Sequence, residues 1–160
     1  MSIASTVRSA LSEEKVEYQV LSQTTHAGHK RGPRISPDKL ARAVLLKDSS
    51  GFLLAVLPAS RRLDMDALSV KLHRRLRPAS DDDLDRNFFD CEVGAVPPLG
   101  PWYRLPTVVD EALRNQPDIF FEAGDRRELV HVAETAFERL MDGAEYLHFT
   151  NNPVSAPIEG

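Results

Sequence analysis

Two nearly continuous apolar runs, separated by four residues that favour a turn, constrain the fold of this chain most strongly. Residues 43–47 (AVLLK) and 52–57 (FLLAVL) flank the segment 48–51 (DSSG), and Pro58 follows. Runs of this length around such a segment are typical of a β-hairpin. Because neither run alternates apolar with polar residues, both of its faces should be buried. The sequence therefore predicts a hairpin in the centre of a sheet that is covered on both sides.

The other apolar patterns mix helices and strands without a regular alternation. Helices are predicted at 5–15, 65–76, 80–89 and 133–141, and short helical turns at 36–39 and 111–115. Strands are predicted at 16–20, 106–110, 118–122 and 128–133, and a loop at 24–37. We predict an α/β fold with a mixed, curved sheet and helices around it. One domain should span residues 1–149, followed by a loosely held C-terminal tail at 150–160.

An acidic run begins the predicted helix at 80–89. Ser80 is a good N-cap residue, and Asp81, Asp82 and Asp83 follow it in the first turn. Carboxylates at this end of a helix interact favourably with its dipole. We therefore interpret the run as a helix start rather than as a metal site.

Composition favours a single soluble domain. The 160 residues are 42% hydrophobic, and no apolar run reaches the length of about 18 residues that a membrane span needs. The first ten residues lack a basic segment followed by an apolar one, so no signal peptide is expected. The single cysteine, Cys91, allows no internal disulfide, and we expect a cytoplasmic protein without a membrane partner.

Basic residues are clustered although the net charge is −4. One cluster is Lys30, Arg31 and Arg34, and another is Lys71, Arg74, Arg75 and Arg77. Such patches can bind phosphate groups even on an acidic protein. They can equally be solvated surfaces, and the sequence leaves both interpretations open.

The segment 91–100 (CEVGAVPPLG) combines two glycines and two prolines. Glycine allows close approach to the backbone, and proline fixes the backbone and removes a donor. Backbone N–H groups between Gly94 and Gly100 could therefore face the carbonyl or oxyanion of a ligand. A second segment, 122–125 (EAGD), places acidic groups just after a predicted strand, where ligands often bind. We predict a small-ligand pocket between the two segments.

Other reactive side chains give weaker signals. His26 and His29 could begin a metal site, but no third ligand has suitable spacing, and no metal is expected. Cys91 could be a nucleophile, although a buried, unreactive thiol is the favoured interpretation. His131, within an apolar run, is interpreted as a packed core histidine. No zinc-protease, phosphate-loop or serine-hydrolase motif is present.

Several collinear motifs resemble the YbaK/prolyl-tRNA-synthetase-associated editing domain family. They are ARAVLL at 41–46, LAVLP at 54–58, LD at 63–64, GAVPPLG at 94–100, PTVVD at 106–110 and FEAGD at 121–125. The resemblance covers about residues 5–142. It implies a barrel-like mixed sheet flanked by helices. It also implies hydrolysis of the ester that links a wrong amino acid to tRNA, by a positioned water and the substrate's own ribose hydroxyl, without a cofactor.

The resemblance also assigns roles to residues. Arg42 occupies the position of the family's lysine and would hold the phosphate or ribose at the tRNA 3′ end. Gly94 and Ala95 would position the ester carbonyl and the water through their backbone. The expected substrate-binding residues are Pro98, Gly100, Glu122, Gly124 and Asp125, with Glu122 and Asp125 shaping the amino-acid pocket. The basic clusters, and not the resemblance, supply the expected tRNA-contact residues, which would guide the acceptor stem: Lys30, Arg31, Arg34, Lys71, Arg74 and Arg75.

Three hypotheses follow. The first is a free-standing deacylase that acts on mischarged tRNA of the tRNA(Pro) type. The second is a catalytically silent relative that binds an aminoacyl or nucleotide ligand in a regulatory role, and the arginine at position 42 favours it because a guanidinium differs from an ammonium in size and geometry. The third is an interaction domain whose pocket is absent or filled. A protein partner or homodimer is left open.

Overall fold

The predicted central hairpin is confirmed by the computed structural model of the protein, which describes residues 3–26, 29–31 and 35–152. Strands β4 (Leu40–Asp48) and β5 (Gly51–Pro58) pair in antiparallel fashion, with Leu45 opposite Leu54. Their buried residues include Leu46, Leu54 and Leu57, which have no exposed surface. These two strands therefore form the middle of the sheet, as their unbroken apolar runs require.

The remaining elements extend this hairpin in both directions. The helices are α1 (Ser5–Glu13), α2 (Met65–Leu72), α3 (Asp81–Asn87) and α4 (Glu134–Leu140). The other strands are β1 (Gln19–Ser22), β2 (Thr24–His26), β3 (His29–Arg31), β6 (Arg62–Leu63), β7 (Arg77–Pro78), β8 (Thr107–Asp110), β9 (Asp118–Glu122), β10 (Glu128–Ala133), β11 (Glu145–Leu147) and β12 (Thr150–Asn151). Short 3-10 helices occupy Pro37–Lys39, Gly100–Tyr103 and Glu111–Asn115.

Eight strands form one mixed sheet. Its order is β1-β10-β9-β4-β5-β8-β11, and β7 pairs with β4 outside this path. Strands β9 and β4 are parallel, as are β5, β8 and β11, whereas the other pairs in the sheet are antiparallel. The predicted class, a mixed α/β fold with helices around a mixed sheet, is confirmed. No helix in the described part of the chain has the length and apolar character that crossing a membrane requires.

Each face of the sheet has its own apolar core. The first face carries Leu45, Leu54, Val56, Phe121 and Val130, and its core includes Val7, Leu11, Phe137 and Leu140 of α1 and α4. The second face carries Leu46, Leu53, Ala55, Leu57 and Val108, and its core includes Leu68 of α2 and Phe149. The second face matters for the site, because side chains two residues apart on a strand share a face and Arg42 precedes Val44 and Leu46 on β4.

The helix start at Ser80 is confirmed as a capping box. Ser80 Oγ accepts from the Asp83 N–H at 3.1 Å, and Asp83 Oδ2 accepts from the Ser80 N–H at 2.9 Å. The Lys47 ammonium, 2.7 Å from Asp83 Oδ2, and these backbone bonds hold the pKa of Asp83 well below its usual range. The acidic run thus has a structural explanation.

Three local predictions are wrong: the end of one helix, the start of one strand, and the absence of strands from one predicted loop. Helix α2 ends at Leu72 rather than 76, because His73 adopts a left-handed conformation with φ 56° and its N–H turns back to Ser69 and Val70. Strand β1 begins at Gln19 rather than 16, because the Val16 N–H bonds to Leu11 O and completes the end of α1. The predicted loop at 24–37 contains the short hairpin of β2 and β3.

The expectation of a loosely held tail from residue 150 is wrong for its first residues. Thr150 is buried and β12 pairs with β6, with Thr150 opposite Leu63. Arg61 fixes this strand by donating to Thr150 Oγ1 at 2.5 Å, to Thr150 O at 3.2 Å and to Asn152 Oδ1 at 3.0 Å. The rest of the predicted tail, 153–160, lies outside the described residues.

We predict that Gly100→Ala destabilises the protein by about 2 kcal/mol or more, because overpacking a filled core has this effect. An added Cβ would overlap Thr107 Oγ1 and lie 3.1 Å from Leu54 Cδ2. The free energy of unfolding in urea measures the loss. In a Thr107→Ala background the same substitution should be less destabilising, and an equal loss in both backgrounds would refute the packing explanation.

Candidate functional site

The segment around Gly94 forms a tight turn on the protein surface. The Ala95 N–H donates to Glu92 O at 3.1 Å, and Gly94 lies inside this turn with φ 85°. A positive φ of this size favours glycine over any residue with a Cβ. Val93 and Gly94 are exposed, whereas Ala95 is fully buried. The turn therefore presents the backbone of Gly94 to solvent.

Two backbone hydrogen bonds attach this turn to the segment after β9. The Glu92 N–H donates to Gly124 O at 2.9 Å, and the Gly124 N–H donates to Ala95 O at 2.9 Å. Glu92 also accepts from the Arg126 N–H at 3.0 Å. The two segments in which the sequence analysis expected ligand contacts are therefore direct neighbours.

Gly124 is a close-packed position. Its φ is 94°, and an added Cβ would lie 2.7 Å from Ala4 Cβ and 3.3 Å from Cys91 Sγ. The adjacent Ala4 N–H donates to Ala123 O at 2.7 Å. Gly124 thus lets the chain before α1 pack directly beneath the site.

Arg42 and Glu122 follow the same register on neighbouring strands. Strands β4 and β9 are parallel, with Leu40 beside Phe120 and Ala41 beside Phe121. Arg42 and Glu122 come next on the two strands, so they occupy adjacent positions on the second face of the sheet. Arg42 is exposed, and its Nη2 lies 3.5 Å from Arg61 O. Gly124, to which the Gly94 turn is hydrogen-bonded, follows Glu122 by two residues, so the chain leads from the position beside Arg42 directly to that turn.

Asp125 adds a buried carboxylate beside these residues. It has no exposed surface, and its Oδ1 accepts from the Arg127 N–H at 2.8 Å. Its Oδ2 is buried and has no hydrogen-bond partner within residues 3–26, 29–31 and 35–152. A buried carboxylate oxygen without a donor is costly, so this atom is the one polar group of the segment that calls for a partner which the described residues do not supply.

Pro98 and Gly100 lie behind the exposed turn. Both are buried, and the Gly100 N–H donates to Pro98 O at 2.9 Å. Gly100 packs against Thr107 and Leu54 of the sheet. They support the turn from the protein interior, and their contact with a substrate stays a prediction.

The predicted tRNA-contact residues differ in their surroundings. The Arg74 guanidinium donates from Nε and Nη2 to the Asp48 carboxylate at 2.8 Å each, which holds the pKa of Asp48 well below its usual range. Lys71 and Arg75 are exposed near the end of α2. Lys30 and Arg31 belong to β3, and Arg34 lies outside the described residues. Arg74 thus has a structural partner, whereas Lys71 and Arg75 remain accessible.

Cys91 has the environment of an unreactive thiol. Burial raises the pKa of the Cys91 thiol to about 12, and its Sγ lies 3.4 Å from both Asp90 Oδ1 and Tyr103 Oη. Asp90 in turn accepts from the Thr6 N–H at 2.9 Å and from Tyr103 Oη at 2.7 Å. This network ties α1 to the segment that leads into the Gly94 turn, and it supports a structural role for Cys91.

Sequence reasoning missed the polar surroundings of His131. Its ring stacks on Phe120 with 4.4 Å between centroids, and its nitrogens lie 2.8 Å from Asp118 Oδ1 and 3.0 Å from Gln19 Oε1. The side chain is 24% exposed, so the interpretation of His131 as a core histidine is wrong: the ring is packed on Phe120 at the surface of the sheet. Only the register of β1, β9 and β10 reveals this cluster, because its members are far apart in the sequence.

Sequence reasoning also missed the cleft beyond Arg61. The cleft has a volume of about 470 Å³ and includes the side chains of Arg114 and His148. None of these three residues lies in a basic cluster of the sequence.

We predict slow alkylation of Cys91 in the native protein. Because its pKa is raised from 9.0 to about 12, the thiolate fraction at pH 8 should be roughly a thousandfold below that of an ordinary thiol. Iodoacetamide labelling followed by mass spectrometry measures the rate, with denatured protein as the control. Equal rates in the two states would contradict the assignment.

Comparison with known proteins assigns this chain to a family. A family model described as the aminoacyl-tRNA editing domain matches residues 21–140. Among solved structures, a candidate signal transduction protein from Marinobacter aquaeolei VT8 is similar with a TM-score of 0.78 and 24% identity over 93% of this chain and 31% of that protein. A candidate trans-editing enzyme for prolyl tRNA synthetase has a TM-score of 0.74 and 19% identity over 94% of this chain and 99% of that one.

These likenesses differ in what they show. This chain spans about a third of the length of the Marinobacter protein, and both identities are low enough that the structures show a shared fold. The family model, by contrast, matches 21–140 of the 160 residues and confirms the resemblance seen in the motifs. The chain therefore belongs to the aminoacyl-tRNA editing domain family.

Proposed function

We propose that this chain is a free-standing deacylase that hydrolyses the ester bond of a mischarged tRNA. The observation that carries the proposal is the parallel register that sets Arg42 beside Glu122, together with the two hydrogen bonds that attach the Gly94 turn to Gly124, two residues further on. This arrangement combines a cation for the tRNA end, backbone donors for an ester carbonyl and carboxylates for an amino group. The family supports an aminoacyl-tRNA editing role, and the similar candidate trans-editing enzyme for prolyl tRNA synthetase motivates tRNA(Pro) as the substrate.

The Gly94 N–H is the proposed donor to the ester carbonyl. Among the described residues no acceptor is paired with it, whereas the Ala95 N–H is used within the turn. When water attacks the ester, the carbonyl oxygen gains negative charge, and a fixed N–H donor stabilises that charge. Ala95 contributes by holding the turn, through its N–H to Glu92 and its carbonyl to Gly124.

Asp125 and Glu122 are proposed to bind the amino-acid part of the substrate. An esterified amino acid carries an ammonium group, and the buried Asp125 Oδ2 lacks a donor among the described residues. Glu122 is half-buried, directly before this segment. Two carboxylates here would select a cationic amino group, while the shape of the pocket would select the side chain.

Arg42 is proposed to orient the terminal ribose or its phosphate. Its guanidinium is exposed and offers planar donors, which suit an oxyanion. No side chain near the turn is required as a nucleophile, because a water oriented by the turn and by the substrate's own ribose hydroxyl suffices for ester hydrolysis. The proposed reaction breaks the ester and releases the free amino acid and the intact tRNA.

We expect the wild-type protein to deacylate at least one member of a panel of mischarged tRNAs that includes Ala-tRNA(Pro) and Cys-tRNA(Pro). Arg42→Ala should lower kcat/KM roughly a hundredfold, because a misplaced substrate loses the benefit of orientation. Arg42→Lys distinguishes a requirement for charge from a requirement for the guanidinium. The release of labelled amino acid measures the rate.

A second candidate function, a catalytically silent binding protein, is favoured by the arginine at position 42. It predicts that the wild-type protein binds aminoacyl-tRNA but hydrolyses no member of the panel faster than buffer does. That result would exclude the deacylase, and turnover restored in Arg42→Lys would then show an otherwise intact site.

We predict that Gly94→Ala impairs deacylation far more than folding. An alanine in this left-handed conformation, with φ 85°, should lower the free energy of unfolding by about 1 kcal/mol. No steric clash should add to this loss, because the nearest atom to an added Cβ, Arg126 Cδ, is 3.8 Å away. The shifted turn should lower kcat/KM roughly a hundredfold. Gly143→Ala is the matched control, because Gly143 has φ 92° and no atom within 4 Å of an added Cβ. Equal activity in the two variants would contradict the role of the Gly94 turn.

A further inference from the structure

A positively charged cleft lies beside the proposed site. It is formed by the segments that follow β5, β8 and β11, and its volume is about 470 Å³. Its lining consists of Arg61, Glu111, Ala112, Arg114, Asn115 and His148. Two arginines and a histidine therefore face one glutamate.

The sheet register places this cleft next to Arg42. On β4 and β5, Arg42 lies opposite Leu57, and on β5 and β8, Val56 lies beside Val109. The segments after β5 and β8 thus leave the sheet at the end where β4 begins. Strand β8 is two strands away from β4, which corresponds to about 10 Å. This distance corresponds to roughly three nucleotides at the 3.4 Å rise of a stacked strand. The link is direct at Arg61, whose carbonyl oxygen lies 3.5 Å from Arg42 Nη2.

Arg61 is held in place by partners that carry no charge. Its guanidinium donates to the Thr150 hydroxyl, the Thr150 carbonyl and the Asn152 side-chain oxygen. A guanidinium has five N–H donors, so donors remain for a ligand. Its positive charge is fixed without a carboxylate in these bonds, which is the arrangement expected of a phosphate contact.

The other two basic side chains, Arg114 and His148, are accessible at the rim. Arg114 stacks 3.8 Å above the Tyr146 ring, its Nε lies 3.8 Å from Glu138 Oε2, and its side chain is 48% exposed. His148 is 64% exposed. Asp110 is fully buried and accepts the Phe149 and Ala112 N–H groups, and its Oδ1 lies 4.0 Å from His148 Nδ1, a longer distance than either backbone bond.

Three basic residues elsewhere, Arg74, Lys47 and Arg86, are paired more closely with carboxylates. Arg74 makes two 2.8 Å hydrogen bonds with Asp48, while Lys47 and Arg86 lie 2.7 and 3.0 Å from the Asp83 carboxylate. A cation already neutralised in this way gains less from a phosphate. The cleft beside Arg42 is thus a better phosphate site than the Arg74 side chain.

We propose that the cleft of Arg61, Arg114 and His148 binds the phosphates of the single-stranded 3′ end of the tRNA. The inference rests on the proposed function, which supplies the tRNA as ligand and fixes its aminoacyl end at Arg42 and Gly94. Phosphate contacts position the strand without reading its bases. The cleft therefore sets the path by which the ester reaches the turn, and the amino-acid pocket supplies the selection.

Binding of uncharged tRNA(Pro) tests this path without requiring catalysis. Arg114→Gln should weaken binding roughly fivefold and reduce the slope of log Kd against log salt concentration by about 0.7, the value for one phosphate contact on a single strand. Arg139→Gln is the matched control, because Arg139 is exposed on α4 and its loss changes the net charge equally. The same tRNA without its last three nucleotides should bind wild type and Arg114→Gln equally.

A second variant is needed because Arg114→Gln also removes the stacking of Arg114 on the Tyr146 ring. His148→Glu places a negative charge on an exposed side chain, so it should also weaken binding of the intact tRNA, but not binding of the tRNA that lacks its last three nucleotides. Kd values and salt slopes like those of the Arg139→Gln control in both variants would overturn the proposal, as would failure of the wild type to bind the intact tRNA. Weaker binding by both variants, with no tRNA in the panel deacylated, would uphold the cleft while refuting the deacylase.

Discussion

The antiparallel pairing of β4 with β5 is the constraint on which the rest of the molecule depends. The pair is apolar on both faces, so a layer of structure must cover each side. Helices α1 and α4 contribute to the core on one face, and α2 and Phe149 to the core on the other. The same strands also position the candidate site, because β9 pairs in parallel with β4 and β8 pairs in parallel with β5.

The site is built from backbone more than from reactive side chains. Gly94 and Gly124 occupy left-handed conformations, and reciprocal hydrogen bonds join their segments. The peptide dipoles of these two segments are fixed before any substrate binds, and such preorganised dipoles can stabilise negative charge that develops during a reaction. The network of Thr6, Asp90 and Tyr103 braces it from the side of α1.

Local features of the fold could be predicted from sequence, whereas features that depend on register could not. The capping box of Ser80 and Asp83 involves residues three apart, and its residue types indicate it directly. The end of α2 could not be predicted, because His73 adopts a left-handed conformation without a glycine to signal it. Strands β11 and β12 are too short, at three and two residues, to show a period.

The candidate site was predicted only in part. The GAVPPLG segment indicated a shaped backbone, but the adjacency of Arg42 and Glu122 requires the parallel pairing of strands far apart in the chain. The cleft around Arg61 likewise depends on contacts with Thr150 and Asn152, about ninety residues away.

The three hydrogen bonds from Arg61 to the last described strand couple two processes that are usually separate. The same guanidinium that fixes Thr150 and Asn152 also lines the cleft beside Arg42. An anion that engages it would act on a side chain already bonded to β12, and linkage requires that the anion changes the docking of the strand by the same free energy as the strand changes the binding of the anion. Hydrogen exchange at the amides of β12 and β6 would then report on occupancy of the cleft by an anion.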